Sequence, residues 1–148
     1  MIRYAHTNII AKDAKTLIEF YQNSLGCRST GETRDLSGDW LDRLTGMKGA
    51  HLTGEHLTLP GYAEHPPTLE IFTYDAVQPG AAGVVNAAGF AHIAFEVDSV
   101  PEALARVLSS GGGVVGETVR ATYADGRTIV VVYATDPEGN IIELQGWS

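Results

Sequence analysis

The stretch FAHIAFEVDSVPEALARVLSSGG, residues 90–112, decides how this chain is read. Its first eight residues alternate as a strand does: Ala91, Ile93, Phe95 and Val97 share an apolar face, and His92 and Glu96 share the other. Asp98 or Ser99 then caps a helix with Pro101 early, where a missing N–H costs nothing. Ala103, Leu104, Val107 and Leu108 line one side of that helix, and Gly111, Gly112 and Gly113 end it. Beyond it, strands are predicted near 114–121, 127–135 and 140–146, the last two joined by the turn DPEGN at 136–140.

The same order stands upstream. Residues 2–10, IRYAHTNII, read as a β-branched and aromatic strand. Asp13 caps a helix carrying Leu17, Ile18, Phe20, Tyr21 and Leu25, and Gly26 stops it. A strand near 27–34, a short helix or turn at 39–46, and strands at 50–59 and 67–74 follow, the last two parted by PGYAEHPP. The Gly-, Ala- and Pro-containing stretch 75–89 reads as a linker. Each half thus reads strand, helix, strand, strand, strand. The repeat predicts a single α+β domain of two modules, about 1–74 and 90–148, with its functional centre where the halves meet.

Composition narrows the classes of function. The 148 residues carry a formal net charge of −8 without a run of Lys or Arg, which argues against nucleic-acid binding and against adhesion to an anionic membrane. Cys27 is the one cysteine, so no internal disulfide can form, and the N-terminus has no apolar leader segment. A cytoplasmic protein acting on a small molecule is expected.

The polar residues of the repeat carry the chemistry. His6 shares a face with Tyr4 and Asn8, Glu70 with Thr68, Phe72 and Tyr74, and Glu143 with Gln145. Each half therefore places a histidine on its first strand and a glutamate on its last. Two imidazoles and two carboxylates at equivalent positions suit one divalent metal ion and leave room for water or substrate on it. His51 and His56 have opposite parity and cannot share a face on a regular strand, and His65 falls in a proline turn, so these three are set aside.

The segments HTNII and LIEFYQNSLG within 6–26, the stretch 90–112, and YATDPEGNIIEL at 133–144 resemble the vicinal oxygen chelate superfamily. Glyoxalase I, methylmalonyl-CoA epimerase, extradiol dioxygenases and fosfomycin- and bleomycin-resistance proteins belong to it. The DPxGxxxEL ending is the most specific match. The resemblance implies paired βαβββ modules forming an open, curved mixed sheet with helices outside. It places metal ligands at His6, Glu70, His92 and Glu143, around Ni, Zn, Mn, Co or Fe. It implies a glyoxalase-like lyase or isomerase whose metal stabilises an enediolate or enolate. Glu143 is the first candidate for the base and Glu70 the second.

Two alternatives follow from the same resemblance. An Fe(II) extradiol-type dioxygenase would use His6, His92 and Glu143, and Tyr133 before the Asp136-Pro137 turn is close to its ending. Residues 120–132 lack the histidine such enzymes carry there, and Glu70 would fill their open position. A non-catalytic drug-binding protein is the third reading, and the ligand set argues against it. The superfamily's common dimers imply a homodimer. One departure from glyoxalase I is an insert within 35–57, whose Trp40 and Arg43 are expected at the mouth of the substrate cleft. Arg120 and Arg127, flanking ATYADG, are expected to meet an anionic group of the substrate.

Overall fold

The chain's computed structural model describes residues 1–80 and 83–148, so positions 81 and 82 of the 75–89 linker lie outside the described residues. It divides into two compact units, one of residues 1–22 and 26–79, the other of 23–25 and 80–148.

In the first unit the strand β1 (His6–Ile10) leads to the helix α1 (Ala14–Leu25). The Asp13 carboxylate accepts a 3.1 Å hydrogen bond from the Thr16 N–H, satisfying one of the donors left over at a helix start. Gly26, with φ +71°, closes the other end in the left-handed conformation a side chain disfavours. Leu17, Phe20 and Tyr21, at helical spacing, are fully buried. Then come β2 (Arg28–Ser37), a short helix α2 (Asp39–Thr45), β3 (His51–Thr58) and β4 (Thr68–Tyr74). The sheet runs β1-β4-β3-β2, with β1 and β4 parallel and the other neighbours antiparallel.

The second unit repeats the plan: β5 (His92–Glu96), α3 (Val100–Ser109), β6 (Gly113–Val114), β7 (Val119–Thr122), β8 (Thr128–Thr135) and β9 (Ile141–Trp147). Ser99 is the cap, its hydroxyl accepting from the Glu102 N–H, and Val100, Ala103 and Val107 are the buried side of α3. The order is β5-β9-β8-β6, with β5 and β9 parallel and β7 also pairing with β8. The fold is α+β: among the described residues, three helices and nine strands in two mixed sheets. No described helix is long and apolar enough to cross a membrane.

Two strands differ most from their sequence reading. The first starts at His6 rather than Ile2, because its partner β4 begins only after Pro66-Pro67, which offer no N–H to extend the ladder. The strand expected at 114–121 is split. Val114 pairs with Ala134, the Val115 N–H still donates to the Tyr133 carbonyl at 2.9 Å, and Val119 pairs with Val131, so residues 116–118 stand opposite only 132 and bulge out of the ladder.

Two features of the first unit give measurable consequences. Cys27 is 3% exposed, and burial pushes its thiol up to about 12. It is expected to resist Ellman's reagent in the native protein and to react fully in denaturant. A fast native reaction would show that the segment around it opens readily. His51 joins two strand ends: its Nε2 lies 2.8 Å from Asp35 and its Nδ1 2.8 Å from Asp75. The hydrogen bonds to Asp35 and then Asp75 raise the imidazole above the usual histidine range. Because the folded value is the raised one, this stabilisation is complete below the unfolded value of about 6.5 and fades as pH rises through the folded value. The gap in melting temperature between wild type and His51→Asn should therefore narrow from about pH 6 to about pH 9. A gap independent of pH would sink this account.

Candidate functional site

Strand register brings each histidine to its glutamate in the same way in both units. His6 pairs with Thr68 and His92 with Ile141, and Glu70 and Glu143 lie two residues further along the parallel neighbour. Side chains two residues apart share a face, so each glutamate reaches diagonally back to its histidine. His6 Nε2 is 3.3 Å from Glu70 Oε2, and His92 Nε2 is 3.2 Å from Glu143 Oε2.

The turn before β9 sets the second of these pairs. Asp136, 2% exposed, accepts from the Glu138 and Asn140 N–H groups at 2.9 and 3.0 Å and from the Asn140 side-chain amide at 2.7 Å. That network shapes the reversal that starts β9 at Ile141 and puts Glu143 opposite Tyr133. On the other face of β9, Ile142 and Leu144 are fully buried.

Two ligands about 2.1 Å from one ion and at right angles stand roughly 3 Å apart. The two His–Glu separations fit one edge of such a polyhedron in each unit. The Glu70 and Glu143 side chains are only 13% and 17% exposed, and among the described residues neither is paired with Lys or Arg. A largely buried carboxylate that no Lys or Arg pairs with is a good place for a cation. Among the described residues, no group of three or more His, Cys, Asp or Glu side chains forms a ready-made metal site. The structure presents a two-ligand edge in each unit.

The glyoxalase/bleomycin resistance protein/dioxygenase superfamily model matches residues 3–144. The chain belongs to this superfamily. Solved structures share the fold at low identity. A glyoxalase-family protein from Bacillus cereus superposes with a TM-score of 0.75 at 20% identity, covering 99% of this chain and 93% of its own. A mutant glyoxalase I from Zea mays gives 0.66 at 22%, covering 97% and 44%, and the trypanothione-dependent glyoxalase I of Leishmania major gives 0.63 at 23%, covering 99% and 87%. No curated protein sequence matches.

In this superfamily member, one residue set aside from the sequence sits at the site. His56 is directly opposite Glu70 across the β3–β4 ladder, its Nε2 2.9 Å from Glu70 Oε1 and its Nδ1 3.1 Å from Thr68 Oγ1. Burial holds its imidazole below the usual histidine range, outweighing the opposing pull of Glu70. The regular β3–β4 register puts His56 and His51 on opposite faces, as their parity requires. The overlooked signal was the hairpin itself, since counting outward from Ala63 in the turn reaches His56 and Glu70 together.

The remaining candidates divide by face. Tyr133 is opposite Glu143, and its ring lies tilted 5.1 Å from that of His92. Arg127 bonds Asp125 at 2.8 Å and sits 5.0 Å over the Trp147 ring, whose residue shares the parity of Glu143. Arg120 pairs with Val130, one register position out of phase, and so projects from the opposite face. The α2 insert packs on the site face of the first sheet through Leu41, which clusters with Ala50, Leu52, Phe72, Leu36 and Tyr74. Trp40 and Leu44 stay exposed, and Arg43 is exposed within 3.9 Å of Asp39. The ring of Phe72 in turn meets His56 edge-on at 5.6 Å.

Proposed function

We propose that this chain is a metal-dependent, glyoxalase-type lyase or isomerase acting on a small molecule that offers two neighbouring oxygens. His6, Glu70, His92 and Glu143 are the ligands in this reading. The observation that carries it is the same His–Glu edge built at the same register in both units. The likeness of the fold to structures named glyoxalase I supports the reaction class. A divalent ion held there would polarise a substrate carbonyl and make the adjacent C–H more acidic.

Glu143 is the base that takes this proton and returns it to the neighbouring carbon or oxygen. Among the described residues its carboxylate has one polar contact, His92, so it is the freer of the two glutamates. Tyr133 beside His92 and Trp40 on the insert are the substrate contacts this reading keeps. Arg127, on the face of Glu143, is the candidate for an anionic substituent, and Arg43 would serve the same end from the insert.

The test is the metal content of untagged protein by elemental mass spectrometry, beside the double variant His6→Ala/Glu143→Ala. About one divalent ion per chain in the wild type, lost in the variant, is the expected outcome. Iron as the bound ion would turn attention to oxygen chemistry. A wild type that stays empty after incubation with each of Ni, Zn, Mn, Co and Fe would overturn the catalytic reading and leave a ligand-sequestering protein.

A further inference from the structure

The two units place different residues at one equivalent position, the direct cross-strand neighbour of each glutamate. Beside Glu143 it is Tyr133, whose ring packs on His92, and beside Glu70 it is His56. Glu70 consequently has an imidazole on each oxygen, His6 at 3.3 Å on Oε2 and His56 at 2.9 Å on Oε1. A carboxylate only accepts hydrogen bonds, so these partners assign the His56 proton to Nε2. Nδ1 is then the acceptor, and the Thr68 hydroxyl at 3.1 Å is its donor. Phe72 closes against the ring from the side. The chain Thr68–His56–Glu70 thus ties one oxygen of the carboxylate and leaves the other turned to His6.

We infer that His56 is a positioning residue. It holds Glu70 in the rotamer that presents Oε2 beside His6 Nε2 as a rigid ligand edge, with no bond to the ion itself. This rests on the metal-binding reading above. A partner of this kind on a ligating carboxylate commonly contributes 10- to 100-fold to metal affinity, roughly, by removing the entropy of orienting the ligand.

Two measurements test it. In the metal-free protein, long-range ¹H–¹⁵N spectra should show His56 as the Nε2–H tautomer, and a Nδ1–H tautomer would overturn the inference whatever the metal does. With Co²⁺ as probe, His56→Phe keeps the ring packing on Phe72 but loses the donor. It should bind roughly 10- to 100-fold more weakly, with an altered visible d–d spectrum, while melting near the wild-type temperature. His56→Gln, whose amide can reach the same oxygen, should recover most of the affinity and the spectrum. A folded His56→Phe protein with wild-type affinity and spectrum would overturn the positioning role and leave the metal site standing. A wild type that binds no Co²⁺ would overturn both, and the tautomer result would show whether the hydrogen-bond chain itself exists.

Discussion

Alanine at position 54 is expected to destabilise the protein by about 3–5 kcal/mol, a large share of the total stability of an ordinary domain. Gly54 lies in β3 with φ +152°, a conformation L side chains rarely adopt. A Cβ there would collide with the Ile71 carbonyl oxygen on β4 and come within 2.8 Å of the Phe72 ring. Neither neighbour can yield cheaply. The carbonyl belongs to the strand that carries Glu70, and Phe72 is buried in the cluster that seats α2. Denaturant unfolding of Gly54→Ala beside wild type checks this. A loss under about 1 kcal/mol would mean that β3 can flatten, contrary to the contact described.

Glu143→Gln is expected to lower turnover by roughly 10²- to 10⁴-fold, the usual contribution of a positioned general base, with little change in KM. Gln keeps the shape and one oxygen but cannot accept the proton. The matched change Glu70→Gln should act mainly on metal affinity, because His56 holds one oxygen of Glu70 and turns the other to His6, whereas Glu143 has only His92 beside it. A screen with methylglyoxal–thiol adducts, methylmalonyl-CoA and catechols supplies the substrate. Wild-type turnover in Glu143→Gln, or the larger loss in Glu70→Gln, would remove Glu143 from the role of base.

Local patterns carried much of this architecture. Asp13, Ser99 and Gly26 work as caps and stops at their expected places because capping depends on a few adjacent residues. The His–Glu pairs were legible as parity on four strands, since the side-chain period of two holds in any sheet. What parity cannot supply is pairing. His56 meets Glu70 only through the hairpin register, and Arg120 turns away from Glu143 only because β7 joins β8 after a bulge. Pro66 and Pro67 likewise shorten β1 through a strand some sixty positions away in sequence, a long-range effect no local window contains.

Residues 38–50, with α2, form the tip of a hairpin whose strands are already joined below it at Ser37 and His51. Lengthening such a tip costs little, because the entropy of closing a loop grows only logarithmically with its length. The ladder that aligns His6, His56 and Glu70 lies outside this tip. In the proposed function, where Trp40 and Arg43 of the tip meet the substrate, selectivity and chemistry are thereby free to evolve at different speeds within one unit: descendants of this chain can exchange the tip while inheriting His6, His56 and Glu70 unaltered.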